Sequence, residues 1–457
     1  MDGGPEMRIL QINTCEYRGG AANVAWNLHR KYQAAGQSTW FMVRQKKSSD
    51  RLVLEINESA YQGAWTKAWF AMSNFLLPVL GGKVRGAGRV YTALHNIGEF
   101  WRWWAKKLGH EDFYFPSTRH ILGMVTERPD IVHCHNLHGN YFNLRILPWL
   151  SRQVPVVLTL HDAWLLSGHC GYSFNCQRWE TGCGYCPDLS LYPSIVRDAT
   201  AYNWRVKKDI FAKSRFYVVT PSRWLMQMVE RSILAPAIIK SRVIPNGVDL
   251  QVFHPGNILQ AREKLGIPQD ARILLSVGDA PIRNTRKNYP ALETAARLAA
   301  ESLTEQRLIF ICLGDSCPQK KIGRLEIRFV DYQEDPAIVA QYYQAADVYL
   351  HAAVTDTFPN TILEALACGV PVIALSTGGI SEQVEDSGCG LLVAPFDEKM
   401  LTGQIIRVLK DKELAKNLSK NASEHVRSRF DVNNQAVEYL SFFRQILEDR
   451  EKKLQYA

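Results

Sequence analysis

Two carboxylates and a cluster of cations are the side chains on which chemistry in this chain turns. Asp356 and Glu364 stand eight positions apart in the segment from Asp347 to Leu375. Between Phe358 and Leu375 the only charged side chain is Glu364. An ionised carboxylate in so apolar a stretch is costly unless something pairs with it, and a ligand hydroxyl is one such partner. The apolar pattern predicts a buried strand, a short polar loop, a helix opened by Pro359 and closed by Gly369, and a second buried strand. Asp356 then falls in the loop after a strand's carboxyl end, where open α/β sheets bind their ligands. The backbone N–H groups of Thr357, Phe358 and Asn360 fall at a helix N-terminus, which favours phosphate. The alternative is that Glu364 is an ordinary exposed helix residue and Asp356 a turn residue.

The cations follow a second strand pattern. After Val277-Gly278-Asp279 come Arg283, Arg286 and Lys287, ahead of a helix beginning near Tyr289. Cations clustered in a strand-to-helix loop can neutralise a departing diphosphate. A solvated basic loop is the alternative. Near the start of the chain, Arg18-Gly19-Gly20-Ala21 leaves the first strand and opens a helix, so its backbone can approach a diphosphate closely. A plain tight turn has the same composition.

The segment around Glu364 resembles the signature of the family 4 retaining glycosyltransferases of the GT-B fold. That pattern is a carboxylate, seven residues, a glutamate, then Ala-x-Ala-x-Gly-x-Pro-Val. Here it is Asp356, Glu364, Ala365, Ala367, Gly369, Pro371 and Val372, followed by Gly378-Gly379-Ile380-Ser381-Glu382. Asp356 stands where the family usually has glutamate. Arg286-Lys287-Asn288 is similar to the family's basic motif, with Asn288 in place of glycine, and Gly19-Gly20 resembles its N-terminal loop. His161, ending Val156-Val-Leu-Thr-Leu and opening His-Asp-Ala-Trp, resembles the loop that faces the donor sugar.

The resemblance implies an α/β protein of two facing Rossmann-like domains with parallel sheets and a C-terminal crossover helix. It implies transfer of a sugar from a nucleotide diphosphate sugar to a hydroxyl acceptor, with retention and without a catalytic metal. Glu364 then holds the donor ribose and Asp356 the transferred sugar. Lys287, Arg286 and the helix start near Phe358 stabilise the diphosphate, and His161 meets a sugar hydroxyl. His133, His135 and Asp162 shape the acceptor side. Metal ligation by His133, His135 and His138 is disfavoured, because strand periodicity splits them between faces.

The loop from His169 to Pro187 holds Cys170, Cys176, Cys183 and Cys186. In a chain with no legible export signal, four thiolates around a structural zinc are the first expectation. Reduced free thiols, an iron–sulfur cluster and disulfides are the alternatives. The stretch from Glu111 through Pro187 resembles a subset of family 4 enzymes linked to polysaccharide assembly of the colanic-acid type, which implies a saccharide or lipid-linked saccharide acceptor.

The elements around these residues alternate strand and helix patterns through both halves, as parallel sheets covered by helices require. Expected strands are Arg8–Ile12, Ser38–Val43, Ile131–Cys134, Val156–Leu160 and Phe216–Thr220, then Ile273–Val277, Leu308–Leu313, Ile327–Val330, Val348–His351, Val372–Leu375 and Leu391–Val393. A helical pattern from Val432 to Glu451 closes the chain. The expected division is residues 1–249 on the acceptor side, 250–430 on the donor side, and a helix over 431–457 returning to the first domain.

At 457 residues, with 46% apolar and 22% charged residues, the chain suits a soluble two-domain protein. Lys and Arg outnumber Asp and Glu by 54 to 45, a net +9 that suits anionic partners. No secretory signal or membrane span is legible, so the expectation is a cytoplasmic protein, or a peripheral one at the inner face of the membrane. Residues 61–108, rich in Trp, Lys and Arg, suit either a helix resting on anionic lipid or a packed helix with snorkelling lysines. Two further functions fit the scaffold: a nucleotide-sugar epimerase, and a zinc-stapled nucleic-acid-binding protein. The basic residues are scattered over both halves, so nucleic acid is not the expected partner.

Overall fold

A computed structural model describes residues 5–80, 87–384 and 388–455. Among the described residues it contains two seven-stranded sheets. The first comprises β1 (Arg8–Cys15), β2 (Ser38–Gln45), β3 (Val53–Glu55), β4 (Ile131–Cys134), β5 (Val156–Thr159), β6 (Phe216–Thr220) and β7 (Ile238–Val243). Its order is β3-β2-β1-β4-β5-β6-β7, all parallel. The second comprises β8 (Ala271–Val277), β9 (Arg307–Leu313), β10 (Lys320–Ile322), β11 (Leu325–Val330), β12 (Val348–His351), β13 (Val372–Leu375) and β14 (Gly390–Val393). Its order is β10-β11-β9-β8-β12-β13-β14, parallel except for the β10–β11 pair.

Every residue of β4, β5, β12 and β13 is buried. Helices cover both faces of such sheets, so these strands read as unbroken apolar runs rather than alternating ones. The expected strands are present, four of them with the same ends and the others with ends shifted by one to three residues. The short edge strands β3 and β10 escape a sequence reading, since three residues carry too little periodicity to register.

The last helix, Val432–Gln455, leaves the second half and packs on the first sheet. Its Tyr439, Phe442, Phe443 and Ile446 share a core with Ile9, Leu28, Tyr32 and Val157. The crossing is tight at Gly247, where an added Cβ would stand 2.5 Å from the Val432 Cα, and Val248 forms a bridge with Asp431. Inside the crossover, Tyr439 Oη lies 3.0 Å from Thr159 Oγ1. Tyr439→Phe removes that hydrogen bond and keeps the ring, so a loss of about 1 kcal/mol is expected, read as a lower urea midpoint with unchanged slope.

Helices Glu58–Tyr61, Ala64–Leu80, Ala87–Gly98 and Phe100–Lys107 are inserted between β3 and β4. Among the described residues no helix is long and apolar enough to cross a membrane.

Candidate active site

The loop after β12 carries Asp356 into the space between the two sheets. Asp356 is 6% exposed. Oδ2 stands 3.2 Å from Lys287 Nζ and 3.3 Å from Arg286 Nη1, and Oδ1 accepts the Thr357 N–H at 2.9 Å. Burial works to raise the pKa of Asp356, but the opposing pull of Lys287 and then Arg286 brings it down to about 2. The carboxylate is therefore ionised at neutral pH. Burial lowers the pKa of Lys287, and the charge of Asp356 opposes that shift. Beneath them, burial and then Lys287 hold His351 neutral, its pKa down at about 3.

The cation loop is shaped by asparagines. Asn284 caps its turn through the Arg286 N–H, at 3.2 Å. Asn288 takes the left-handed conformation, φ 52° and ψ 45°, and asparagine tolerates that region better than other non-glycine residues. This accounts for asparagine where the family motif has glycine. The second glycine of Gly378-Gly379 is equally constrained: a Cβ on Gly379 would lie 1.8 Å from the Thr357 carbonyl oxygen.

Glu364 lies on the helix Asn360–Ala367, half-buried, and accepts a hydrogen bond from Tyr343 Oη at 2.9 Å. Burial raises its pKa to about 7, outweighing that hydrogen bond. Unlike Asp356, it has no ion-pair partner among the described residues, so burial decides its titration.

Several contacts cross between the halves. Thr357 Oγ1 donates to the His161 carbonyl at 2.8 Å, and Asn360 Nδ2 donates to the Gly20 carbonyl at 3.1 Å. Asn246 Nδ2 bonds Asn360 Oδ1 and the Phe358 carbonyl. The Arg286 guanidinium sits 4.0 Å from the centre of the Tyr172 ring, which the cysteine loop extends from the other side. Glu382 caps the helix Arg223–Glu230 by accepting the N–H groups of Arg223 and Trp224, both at 2.9 Å. The structure thus gathers Gly20, His161, Asp356, Thr357, Asn360, Arg286 and Lys287 around one cleft. Tyr172, Tyr343 and Asn246 join them without a signal in the sequence, where each is one aromatic or turn residue among many.

Two expectations need correction here. The Thr357 N–H is engaged by Asp356 rather than offered to a phosphate; the Phe358 ring packs against Phe430 in the core, so any contact from Phe358 to a phosphate is through its backbone. His133 does not line the acceptor side. It is fully buried, bonds Thr159, and lies against Tyr439 and Phe443 of the crossover helix, with its pKa pushed down to about 3 by burial. His135 does reach the site's edge, with Nδ1 3.0 Å from His161 Nε2, and burial lowers His161 to about 4. Asp162 pairs with His138 at 2.9 Å and accepts the Trp164 N–H, and Tyr192 stands 3.5 Å from His138.

The zinc expectation for Cys170, Cys176, Cys183 and Cys186 also fails. All four are free, and among the described residues no three His, Cys, Asp or Glu side chains are arranged to hold a metal ion. Cys183 instead accepts the Gly168 N–H, and Cys186 lies 3.4 Å from His169 Nε2. Burial pushes Cys170 up to about 11 and Cys183 up to about 12, so in the metal-free chain both are protonated thiols at neutral pH.

The pattern described as Glycosyltransferase Family 4 matches residues 18–252, more than half of the chain, and that described as Glycosyl transferases group 1 matches residues 257–425. The chain belongs to glycosyltransferase family 4. It is similar to WcaC of Escherichia coli (strain K12), named as a colanic acid biosynthesis glycosyl transferase, with 24% identity over 96% of this chain and all of the relative. A D-inositol 3-phosphate glycosyltransferase of Acidothermus cellulolyticus is 30% identical over 46% of this chain, and the match spans about half (49%) of that relative. Among solved structures, sucrose-phosphate synthase from Thermosynechococcus elongatus superposes with TM-score 0.63 at 20% identity, over 97% of this chain and all of that one. Anabaena Alr3699/HepE in complex with UDP and glucose gives TM-score 0.63 at 18% identity, over 95% of this chain and all of that one. The fold of this family 4 glycosyltransferase is accordingly the α/β arrangement of the GT-B enzymes.

Proposed function

We propose that this glycosyltransferase moves a sugar from a nucleotide diphosphate sugar to a hydroxyl of a saccharide or lipid-linked saccharide, with retention at the anomeric carbon, in surface or exopolysaccharide assembly. The observation that carries the proposal is the buried Asp356 held between Lys287 and Arg286 at the carboxyl end of β12. The names of WcaC and of the UDP-bound HepE support the acceptor class and the donor class respectively.

On this reading residues 1–249 form the acceptor side, 250–430 the donor side, and 431–457 the return helix. Lys287 and Arg286 face the diphosphate, Gly19 and Gly20 approach it through backbone, and Asp356 takes a hydroxyl of the transferred sugar. The bond from the anomeric carbon to the β-phosphate oxygen breaks, the acceptor oxygen bonds that carbon on the same face, and the acceptor proton passes to the departing phosphate oxygen. His161, neutral and anchored by His135, presents its remaining ring nitrogen to a sugar hydroxyl. The chemistry rests on electrostatic stabilisation and needs neither a protein nucleophile nor a metal. The reaction is placed in the cytoplasm.

Glu364 is assigned to the ribose hydroxyls, which donate to its ionised form. A nucleoside diphosphate at 100 times its dissociation constant adds about 2.7 kcal/mol of stability, so one member of a panel should raise the melting temperature of the wild type and fail to raise that of Glu364→Ala. With Glu364 titrating near 7, the affinity of the wild type should rise with pH from about 6 to 8 and then level. In Glu364→Gln that rise should shrink to the part set by the terminal phosphate, which itself ionises in this range. Absence of any shift across the panel, in folded protein, would sink the donor-site assignment.

A further inference from the structure

The segment Glu58 to Leu108 plays no part in the proposed transfer chemistry. Among its described residues it holds five Lys and Arg against two Glu, a net +3 of the chain's +9. Five of the twelve tryptophans fall in it. Helices Ala64–Leu80 and Ala87–Gly98 pair antiparallel: Trp65 Nε1 donates to the Ile97 carbonyl, Thr66 Oγ1 to the Gly98 carbonyl, and Phe70 stacks on His95. That pairing satisfies one face of the first helix and leaves another bare.

The bare face is apolar. Met72 and Phe75 lie on it, and the Trp65 ring borders it, its indole N–H closing the pairing while the rest of the ring stays exposed. Trp65 is 63% and Phe75 72% exposed. The next helix repeats the arrangement. On Phe100–Lys107 the exposed rings are Phe100, Trp101 and Trp104, with Trp101 80% exposed. On its other side Arg102 and Lys106 both hold Asp112, at 2.6 and 3.2 Å. Lys107 is left exposed.

We propose that these three helices dock the enzyme on an anionic membrane surface, the aromatic stripes entering the headgroup layer and the exposed Lys67, Arg89 and Lys107 facing lipid phosphates. Tryptophan beside lysine and arginine suits that interface, where a ring needs one apolar and one wet side. A protein partner fits less well, because the cores of protein interfaces are depleted in lysine. A second copy would bring +3 against +3. The docking has a consequence for the transfer reaction, and here alone it rests on the function proposed above. Glu111, four residues beyond Lys107, accepts from Trp164 Nε1 and pairs with Lys207. The membrane-facing helices are thereby tied to the loop carrying Asp162, which would hold the acceptor pocket at a fixed height over a lipid-linked acceptor.

Vesicle flotation of the full chain tests this. Vesicles of phosphatidylcholine with phosphatidylglycerol should carry the protein up, vesicles of phosphatidylcholine alone should not, and salt at about 0.5 M should release it, as the Debye length falls to about 4 Å. The triple substitution Trp65→Ser, Phe75→Ser, Trp101→Ser should lower partitioning at least about tenfold. The thermal shift given by a nucleoside diphosphate should be the same in both proteins, which reports folding and the donor site separately from docking. No flotation with anionic vesicles would overturn the proposal, as would flotation unaffected by the triple substitution. A lipid-free dimer in sedimentation that the same substitutions abolish would reassign the face to a second copy.

Discussion

Lys287→Met is expected to lower kcat for sugar transfer by about 10²–10³-fold, or roughly 3–4 kcal/mol, the scale on which removal of one preorganised charge at a developing anion is felt. Lys287 has two functions at once. Its ammonium, 3.2 Å from Asp356 Oδ2, fixes that carboxylate toward the sugar, and it is a cation placed where the departing diphosphate gathers charge. Methionine keeps the length and apolar body of the stem, so the change removes charge more than packing. Asp356 keeps Arg286, at 3.3 Å, and its pKa moves up from about 2 while it remains ionised at neutral pH. Charge on the diphosphate is greatest in the transition state, so kcat should fall by a larger factor than KM for the donor rises. Steady-state transfer, or slow hydrolysis of the donor without acceptor, measures both. A variant within about threefold of the wild type would remove Lys287 from the transfer machinery.

What could be read in advance follows a physical division. β12 and β13 are legible because strands buried on both faces must be apolar throughout. Asp356, Glu364 and Lys287 are legible because a charge in or beside such strands is expensive and needs a reason. Tyr172 and Asn246 are not, because their meaning lies in Arg286 and Asn360, which folding brings to them from the other half of the chain. His133 was misplaced for a related cause. Period-two alternation assigns it to a face of β4 but cannot say that the helix Val432–Gln455 comes back to cover that face. The cysteines show the limit of spacing as a guide: it brings Cys170, Cys176, Cys183 and Cys186 into one loop, yet convergence depends on which backbone groups each sulfur meets.

Lys207→Met should be the most destabilising single change outside the cleft, costing about 3–5 kcal/mol, because it strands a buried carboxylate. Lys207 has no exposed surface; its Nζ lies 2.8 Å from Glu111 Oε2, donates to the carbonyls of Trp164 and Ser167 at 2.9 and 3.0 Å, and sits 4.0 Å from the Trp164 ring centre. Burial pulls the Lys207 pKa down and pushes that of Glu111 up, and their contact opposes both shifts. Without the ammonium, Glu111 keeps the Trp164 indole N–H as its donor, and the Trp164 and Ser167 carbonyls lose theirs. The same loop begins at Asp162, so transfer should weaken along with stability even though Lys207 touches no substrate. Removing both charges with Lys207→Met and Glu111→Leu should recover part of the lost stability, since no carboxylate is left stranded, while the Trp164 and Ser167 carbonyls and the Trp164 indole N–H stay without their partners. Urea unfolding of the two variants decides the matter: a single variant as stable as the wild type, or a double variant no better than the single, would show that the pair is not what anchors the loop.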